Sequence, residues 1–284
     1  MKKIIVLLLS SLFLVLGYAQ NHQPAEIKAM YRYTSIQRHV AGHDFEHNDD
    51  MILLASSVGS RFFSARTEQY DSLMSVPGGK EKYQELLKYA ARNALVIENG
   101  GITFDRSKVN IPSMGEQFQV TRPDNSNDLT IIDFAAQENF IYQVPTSDLE
   151  WVIGDSVKTV LGYECQIATA DYHGRKWTAW FSADVPVSAG PWQLMGLPGL
   201  IMEAETDGGE YKFEITALER TNQSILPRPG LHDYTKTTRK DFRKFQREID
   251  KNPEKAYPEG NVKIVNSEES SRANMAQDLI ETDY

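Results

Sequence analysis

The sequence predicts a mainly β protein, a strongly curved, half-barrel-like antiparallel meander with one helical insertion and a C-terminal helix. Three observations carry this expectation. Between residues 102 and 218, short apolar or alternating runs recur, each ended by turn residues. Helical periodicity is confined to residues 67–97 and to a stretch after Thr237. One hairpin carries a tryptophan on each face, Trp177 on one and Trp180 on the other, as expected of a sheet that is covered on both sides or curved.

The 284 residues are 41% hydrophobic and 24% charged, close to the globular average, which argues against wholesale disorder and a multi-span membrane protein. A net charge of −9 argues against nucleic acid as a partner, because phosphate contacts need Lys and Arg, which acidic residues outnumber here. At the start, Met1-Lys2-Lys3 precedes an apolar run, Ile4–Leu16, broken only by Ser10 and Ser11; Gly17-Tyr18-Ala19 then supplies small residues for cleavage. As a helix that run spans roughly 20 Å, short of the ~30 Å hydrocarbon core, so residues 1–19 read as a signal peptide. No Cys follows it, so a lipid anchor is not expected, and no later segment is apolar enough to be a transmembrane span in the mature chain. The expected product is exported, periplasmic or secreted. With a single cysteine, Cys165, it forms no internal disulfide. The expected organisation is a lead-in at 20–30, a β domain with its C-terminal helix at 31–251, and an acidic, flexible tail at 252–284.

Within the β domain, Ile27–Ile36 and Met51–Phe63 read as extended segments around a polar loop, Arg38–Asp50. Tyr83, Leu86, Leu87, Ala90, Ala91 and Ala94 recur at helical spacing. Pro77-Gly78-Gly79 separates this helix from a shorter one before it, and Asn99-Gly100-Gly101 stops it. Strands are expected at Ile102–Phe104, Gln117–Val120, Leu129–Phe134, Asn139–Val144, Trp151–Val160, Tyr163–Ala170, Lys176–Ser182, Leu200–Glu205 and Tyr211–Leu218. Asp171-Tyr172-His173-Gly174 is the turn of one hairpin, with Gly174 taking positive φ, and Tyr163, Cys165, Ile167 and Thr169 share a face of its first strand. Pro227-Arg228-Pro229-Gly230 ends the meander. Thr237 or Thr238 caps a helix running to about Lys251, whose stripe of Phe242, Phe245 and Ile249 docks it on its own domain. Arg239, Lys240, Arg243, Lys244 and Arg247 are placed on the remaining surface, and a membrane-surface role is the alternative for this helix.

The most unusual string is Gly190-Pro191-Trp192-Gln193-Leu194-Met195-Gly196-Leu197-Pro198-Gly199-Leu200-Ile201. Leu197-Pro198-Gly199-Leu200 fits a type II turn, since Pro presets φ and Gly accepts a positive one, and the surrounding apolar residues mean that the segment must pack. This string resembles the GLPGLI family of exported bacterial proteins, whose hexapeptide stands here at Gly196–Ile201. The likeness extends through Gly162-Tyr163-Glu164-Cys165, Ala168, Gly174-Arg175, Ala179-Trp180-Phe181, Pro186-Val187-Ser188 and Gly190-Pro191-Trp192, while Gln193-Leu194 departs from the Lys-Phe that members often show. The resemblance implies a set of fold determinants and brings no catalytic residue with it.

No G-x-S-x-G, P-loop or H-E-x-x-H motif occurs. Gly154-Asp155-Ser156 looks like a hydrolase nucleophile block only superficially, since it lies in an extended run with no accompanying His motif. Glu203 and Glu205 share a strand face, as on any solvated edge. His39, His43 and His47, with Asp44, Glu46, Asp49 and Asp50 nearby, offer ligands for zinc or copper, although a loop must lose backbone entropy to bring three rings together. Cys165 with Met195 or Met202 offers a soft copper site, set against a buried, inert thiol. No other cofactor is expected.

The predicted curvature is similar in outline to the half-barrels of periplasmic lipoprotein carriers, with a closed lipocalin-like barrel as the alternative. The expected function is non-enzymatic binding or carriage, in the cell envelope, of an apolar ligand or a membrane-protein partner; metal handling and an unrecognised hydrolase are the alternatives. Export gives the first test. N-terminal sequencing of mature protein is expected to begin at Gln20, and an intact Met1–Ala19 segment would reject the cleavage.

Overall fold

The computed structural model describes residues 23–40, 43–98, 101–104, 109, 111–227, 233–252 and 279–283. The signal peptide, residues 253–278 of the expected tail and residues 228–230 of the breaker lie outside them. Along the chain come β1 (Ile27–Val40), β2 (His43–Ala55), β3 (Ser60–Ser64), α1 (Ala65–Met74), α2 (Gly79–Asn93), β4 (Leu95–Glu98) and β5 (Gly101–Phe104). They are followed by β6 (Gln119–Arg122), β7 (Asp128–Ala135), β8 (Glu138–Pro145), β9 (Val152–Val160), β10 (Tyr163–Tyr172), β11 (Arg175–Ser182), β12 (Leu200–Thr206), β13 (Tyr211–Arg220), β14 (Thr235–Lys236) and α3 (Arg239–Lys251). From β5 to β13, each expected strand lies within two residues of its expected bounds.

Twelve strands form one curved sheet in the order β14-β8-β7-β6-β3-β2-β1-β13-β12-β11-β10-β9, while β4 and β5 make a separate hairpin. Neighbours are antiparallel except β14 and β8. β1 joins the two halves, pairing β2 on one side and β13 on the other. The sheet does not close, which corrects the lipocalin-like alternative. One end strand, β14, is two residues long, and the other, β9, carries a register shift against Gln166 and Ala168, so neither offers a regular edge for the other to continue.

Several local expectations are corrected. Arg38–Asp50 is not a loop: β1 continues to Val40, β2 starts at His43, and Ser35 pairs with His47. The reason is alternation, since Phe45, His47, Asp49, Met51 and Leu53 fall on one face of β2 even though half of that run is polar. α2 ends at Asn93, and the following Leu95-Val96-Ile97 becomes β4, in keeping with the strand preference of β-branched residues. The helical insertion lies beside the strands that precede it. α1 packs beside β2 and β3, and α2 packs on α1, with Tyr83 edge-on to Tyr70 at 5.2 Å. In β10 the expected face fails at Ile167: the register shift turns Ala168, Ala170 and Tyr172 inward in place of Ile167 and Thr169. The hairpin turn is as expected and tighter, with Tyr172 paired to Arg175 and both His173 and Gly174 at positive φ.

The signature segment packs as anticipated: Trp192, Leu194, Met195, Leu197, Leu200 and Ile201 are buried, as are Val185, Val187 and Ala189 just before it. Each fully buried large side chain contributes roughly 1.5–3 kcal/mol. The type II turn is corrected. Gly199 N–H donates to Leu197 O at 2.8 Å across Pro198, while Leu200 N–H is taken by Val185 O at 3.0 Å, so the loop is stitched to the chain before it rather than closed on itself. Glycine is still required at 199 for another reason: a β-carbon there would lie 2.0 Å from Ser182 O. Gly199→Ala is therefore expected to lower the urea midpoint by the equivalent of about 1–3 kcal/mol, whereas half-buried Ser188→Ala changes it by less than about 0.5 kcal/mol. Equal midpoints would refute the close approach.

Candidate functional site

The inner face of the sheet is lined with rings. Tyr33 stacks on Phe213 at 5.0 Å, Phe62 meets Tyr31 edge-on at 6.0 Å, and Trp177 lies within stacking range of Phe213 at 6.2 Å. Two pieces of chain cover this face from opposite ends. Over β10–β13 lies the signature loop: Trp192 stacks on Trp177 at 5.4 Å, Trp151 Nε1 donates to Met195 O at 2.8 Å, and Tyr31 OH donates to Ile201 O at 2.7 Å. Over β7 and β8 lies α3, capped by Thr238, whose Phe242 sits 5.2 Å from Phe140 and 5.4 Å from Tyr142.

Between these covers remains a cavity of about 390 Å³. Tyr33, Phe45, Phe118, Phe134, Trp192 and Tyr211 supply ring surface, and His47, Glu116, Asp133, Gln193 and Arg243 supply polar groups. Phe45, 56% exposed, marks its rim. Leu279 and Ile280 form part of the wall, so the C-terminal end of the chain belongs to the site.

Asp49 positions the polar side. Its buried carboxylate accepts from Arg66 Nε at 2.7 Å and from the Glu116 N–H at 2.6 Å, and a β-carbon at Gly115 would come 2.1 Å from its Oδ2. Thr67 Oγ1 adds a donation to Glu116 O at 2.8 Å. The pinned segment places Glu116 Oε1 3.0 Å from His47 Nε2. This hydrogen bond to Glu116 raises the His47 pKa above its ordinary 6.5, against the opposing pull of partial burial. Across the cavity, burial pushes the Asp133 carboxyl up, more than the neighbouring Arg243, at 3.4 Å, brings it down. Burial likewise pushes the Tyr33 hydroxyl well above its ordinary value.

Arg243 is the largest departure from the expected helix surface: it is only 3% exposed. Its guanidinium reaches the sheet and the C-terminal end, where it donates to Tyr142 OH at 3.1 Å and pairs with Glu281, and it also donates to Gln246 Oε1 at 2.8 Å. Glu281 lies in what read as a loose acidic tail, yet its side chain is fully buried. Gln193 Nε2 donates at 2.9 Å to the oxygen that Arg243 also binds, Oε1, and Arg239 Nε donates to Oε2 at 2.6 Å. Burial opposes ionisation of Glu281, but Arg243 outweighs it by charge and hydrogen bonding, and the carboxyl is held below its ordinary value. The tail expectation is thus corrected for residues 279–283.

The expected metal ligands fare differently. His39 lies on β1 and His43 begins β2; their side chains fall outside the described residues. His47 faces the cavity with Glu116 as its partner. Among the described residues, a metal-like grouping occurs elsewhere, where ligand atoms of His173, Glu281 and Asp283 lie within 4.8 Å of one another. Arg239 binds both of those carboxylates and Arg243 binds Glu281, so two guanidinium charges stand where a cation would bind. Cys165 is fully buried, donates to Tyr163 O at 3.7 Å, and has its pKa raised by burial, the condition of an inert thiol. Of the signature residues, Gly174 and Arg175 contact the C-terminal end, and Gly190 is confined by Leu194 O, 2.6 Å from where a β-carbon would stand. Pro191 O receives the Leu194 N–H at 3.0 Å, and Trp180 lies on the outer face beneath Lys158 Nζ at 4.4 Å.

A family model described as "Protein of unknown function (Porph_ging)" matches residues 173–203, from the β10–β11 turn through the signature loop into β12. No curated protein matches the chain. Among solved structures, the chain is similar to PNGF-II, with 13% identity, 79% of this chain and 33% of that chain covered and a TM-score of 0.48. It therefore spans about a third of the length of PNGF-II. It is also similar to the MucA/MucB complex of Pseudomonas aeruginosa, with 11% identity, 75% and 56% covered and a TM-score of 0.30. A putative outer membrane lipoprotein-sorting protein domain from Vibrio parahaemolyticus shows 6% identity, 75% and 92% covered and a TM-score of 0.26.

The His47–Glu116 contact gives a pH test. Because the folded pKa of His47 is raised above 6.5, the pair's contribution is full below that value and is lost as pH rises through the raised one. The urea-midpoint gap between the unaltered protein and His47→Gln is expected to be wider near pH ~5.5 than near pH ~9. A gap that does not change with pH would show that the imidazole carries no charge in the folded protein.

Proposed function

We propose that the protein is a non-enzymatic binding or carrier protein of the cell envelope, and that it holds an amphipathic ligand in the cavity on the inner face of its sheet. The cavity itself carries this reading. Its volume, about 390 Å³, falls in the range of small-molecule pockets, and its lining combines ring faces with a few convergent polar groups. An apolar ligand body fits against Phe45, Phe118 and Phe134, with a polar end toward His47, Glu116 and Asp133. Much of the inner face is filled by the chain's own signature loop and α3, so the ligand is small or enters only in part. Among the described residues no helix is long and apolar enough to cross a membrane. Zinc or copper binding by His39, His43 and His47 is the weaker reading, since they are divided between two strands and His47 already has a carboxylate partner.

Mass spectrometry of protein purified from its native compartment, before and after solvent extraction, tests the reading. An extractable amphipathic molecule is expected, together with saturable binding of a dansylated fatty acid. Phe45→Ser is expected to weaken that probe by about three- to tenfold while leaving the melting temperature nearly unchanged, because the ring is exposed at the rim. Protein that carries no organic ligand and fails to bind the probe would overturn the proposal, and stoichiometric metal in its place would favour metal handling.

A further inference from the structure

We propose that the β10–β11 turn, Arg175, Gln193 and the two arginines of α3 form a receptor site for an extended acidic peptide, occupied in cis by the chain's own Leu279–Asp283. The contacts treat that segment as a peptide. Arg175 donates to two successive carbonyls, Leu279 O at 2.6 Å and Ile280 O at 3.0 Å. Thr282 donates through its N–H to His173 O at 2.9 Å and through Oγ1 to Gly174 O at 3.0 Å. A β-carbon on Gly174 would come within 2.3 Å of Thr282 Oγ1, so glycine leaves room for the segment. One side chain is fully engulfed, that of Glu281, held by Gln193, Arg239 and Arg243. Main-chain capture with one charged anchor is a general mode of peptide recognition.

The receptor groups have partners of their own. Arg243 is bonded to Tyr142 and Gln246, Gln193 Oε1 accepts from Tyr172 OH at 3.3 Å, and Arg175 lies over the Tyr211 ring at 4.8 Å. When the segment leaves, Arg243 loses a carboxylate from a buried position, and a replacement carboxylate relieves that imbalance. The segment belongs to the same chain as the receptor groups, so its binding is intramolecular and has an advantage over that of a free peptide. A peptide in trans must therefore compete with the tail or meet a released one. The site adjoins the cavity through Leu279 and Ile280 but does not depend on what the cavity holds.

Fluorescence polarisation with a labelled synthetic peptide of residues 278–284 tests the proposal. The full chain carrying Glu281→Gln is expected to bind the peptide saturably and at least tenfold more tightly than the unaltered chain does. A peptide that itself carries Glu281→Gln is expected to bind that variant chain at least tenfold more weakly. Hydrogen exchange on the unaltered chain provides a readout that does not need the variant: excess peptide should speed exchange at Thr282, whose N–H is held by His173, and the Gln peptide should not. Equal binding of the two peptides, or exchange at Thr282 unmoved by millimolar peptide, would overturn the receptor. Fatty-acid binding without peptide binding would overturn it and leave the cavity reading standing.

Discussion

The stacking of Trp192 on Trp177 is the contact from which much of the interior follows. Trp177 is fully buried on β11, and Trp192, stacked on it, holds a backbone φ of 52°, a conformation that non-glycine residues seldom adopt. The strain is offset by the area that two indoles remove from water. With Trp192 fixed, the next residue, Gln193, points to Glu281, and Glu281 in turn neutralises Arg243. One aromatic stack thus fixes the cover over one end of the sheet and helps set the electrostatics at the other.

That electrostatic arrangement is costly to assemble and specific once assembled. A carboxylate and a guanidinium that are both buried lose their hydration, and the pair returns that loss only with good geometry and further hydrogen bonds. Here Arg239, Gln193, Tyr142 and Gln246 provide those bonds. Asp49 plays the corresponding part at the far rim, where a buried carboxylate holds backbone N–H and guanidinium groups and so fixes Glu116 opposite His47. The cavity is bounded on both sides by polar contacts that a purely apolar core would lack.

Much of the fold was legible because alternation and turn residues are local signals. The β10–β11 hairpin could be read from Trp177, Ala179, Phe181 and the His173-Gly174 turn, and the packing of the signature loop from its apolar density. The candidate site was largely illegible because its polar members depend on partners distant in sequence. Asp49 and His47 looked like loop residues until β1 paired with them, although the odd-numbered positions from Phe45 to Leu53 already alternated toward one face. Arg243 and Glu281 each read as solvated charges, and their meeting helps to offset the cost of burying either. The turn at Leu197–Leu200 misled for a related reason: Val185 competes for the N–H that a type II turn would have used.

The position of β1 in the middle of the sheet bears on how the protein reaches its folded state. β2 and β3 follow β1 directly and can pair as they emerge, but its other neighbour is β13, and Thr216 meets Met30 at a sequence separation of 186. Contacts of such separation are formed late, since loop closure must precede any gain from pairing. Until then the growing chain presents an unpaired edge along β1, rich in aromatic and apolar residues, which is the kind of surface that recruits chaperones or aggregates. Folding of this protein is expected to be slow, with its two halves forming separately before the β1–β13 seam joins them.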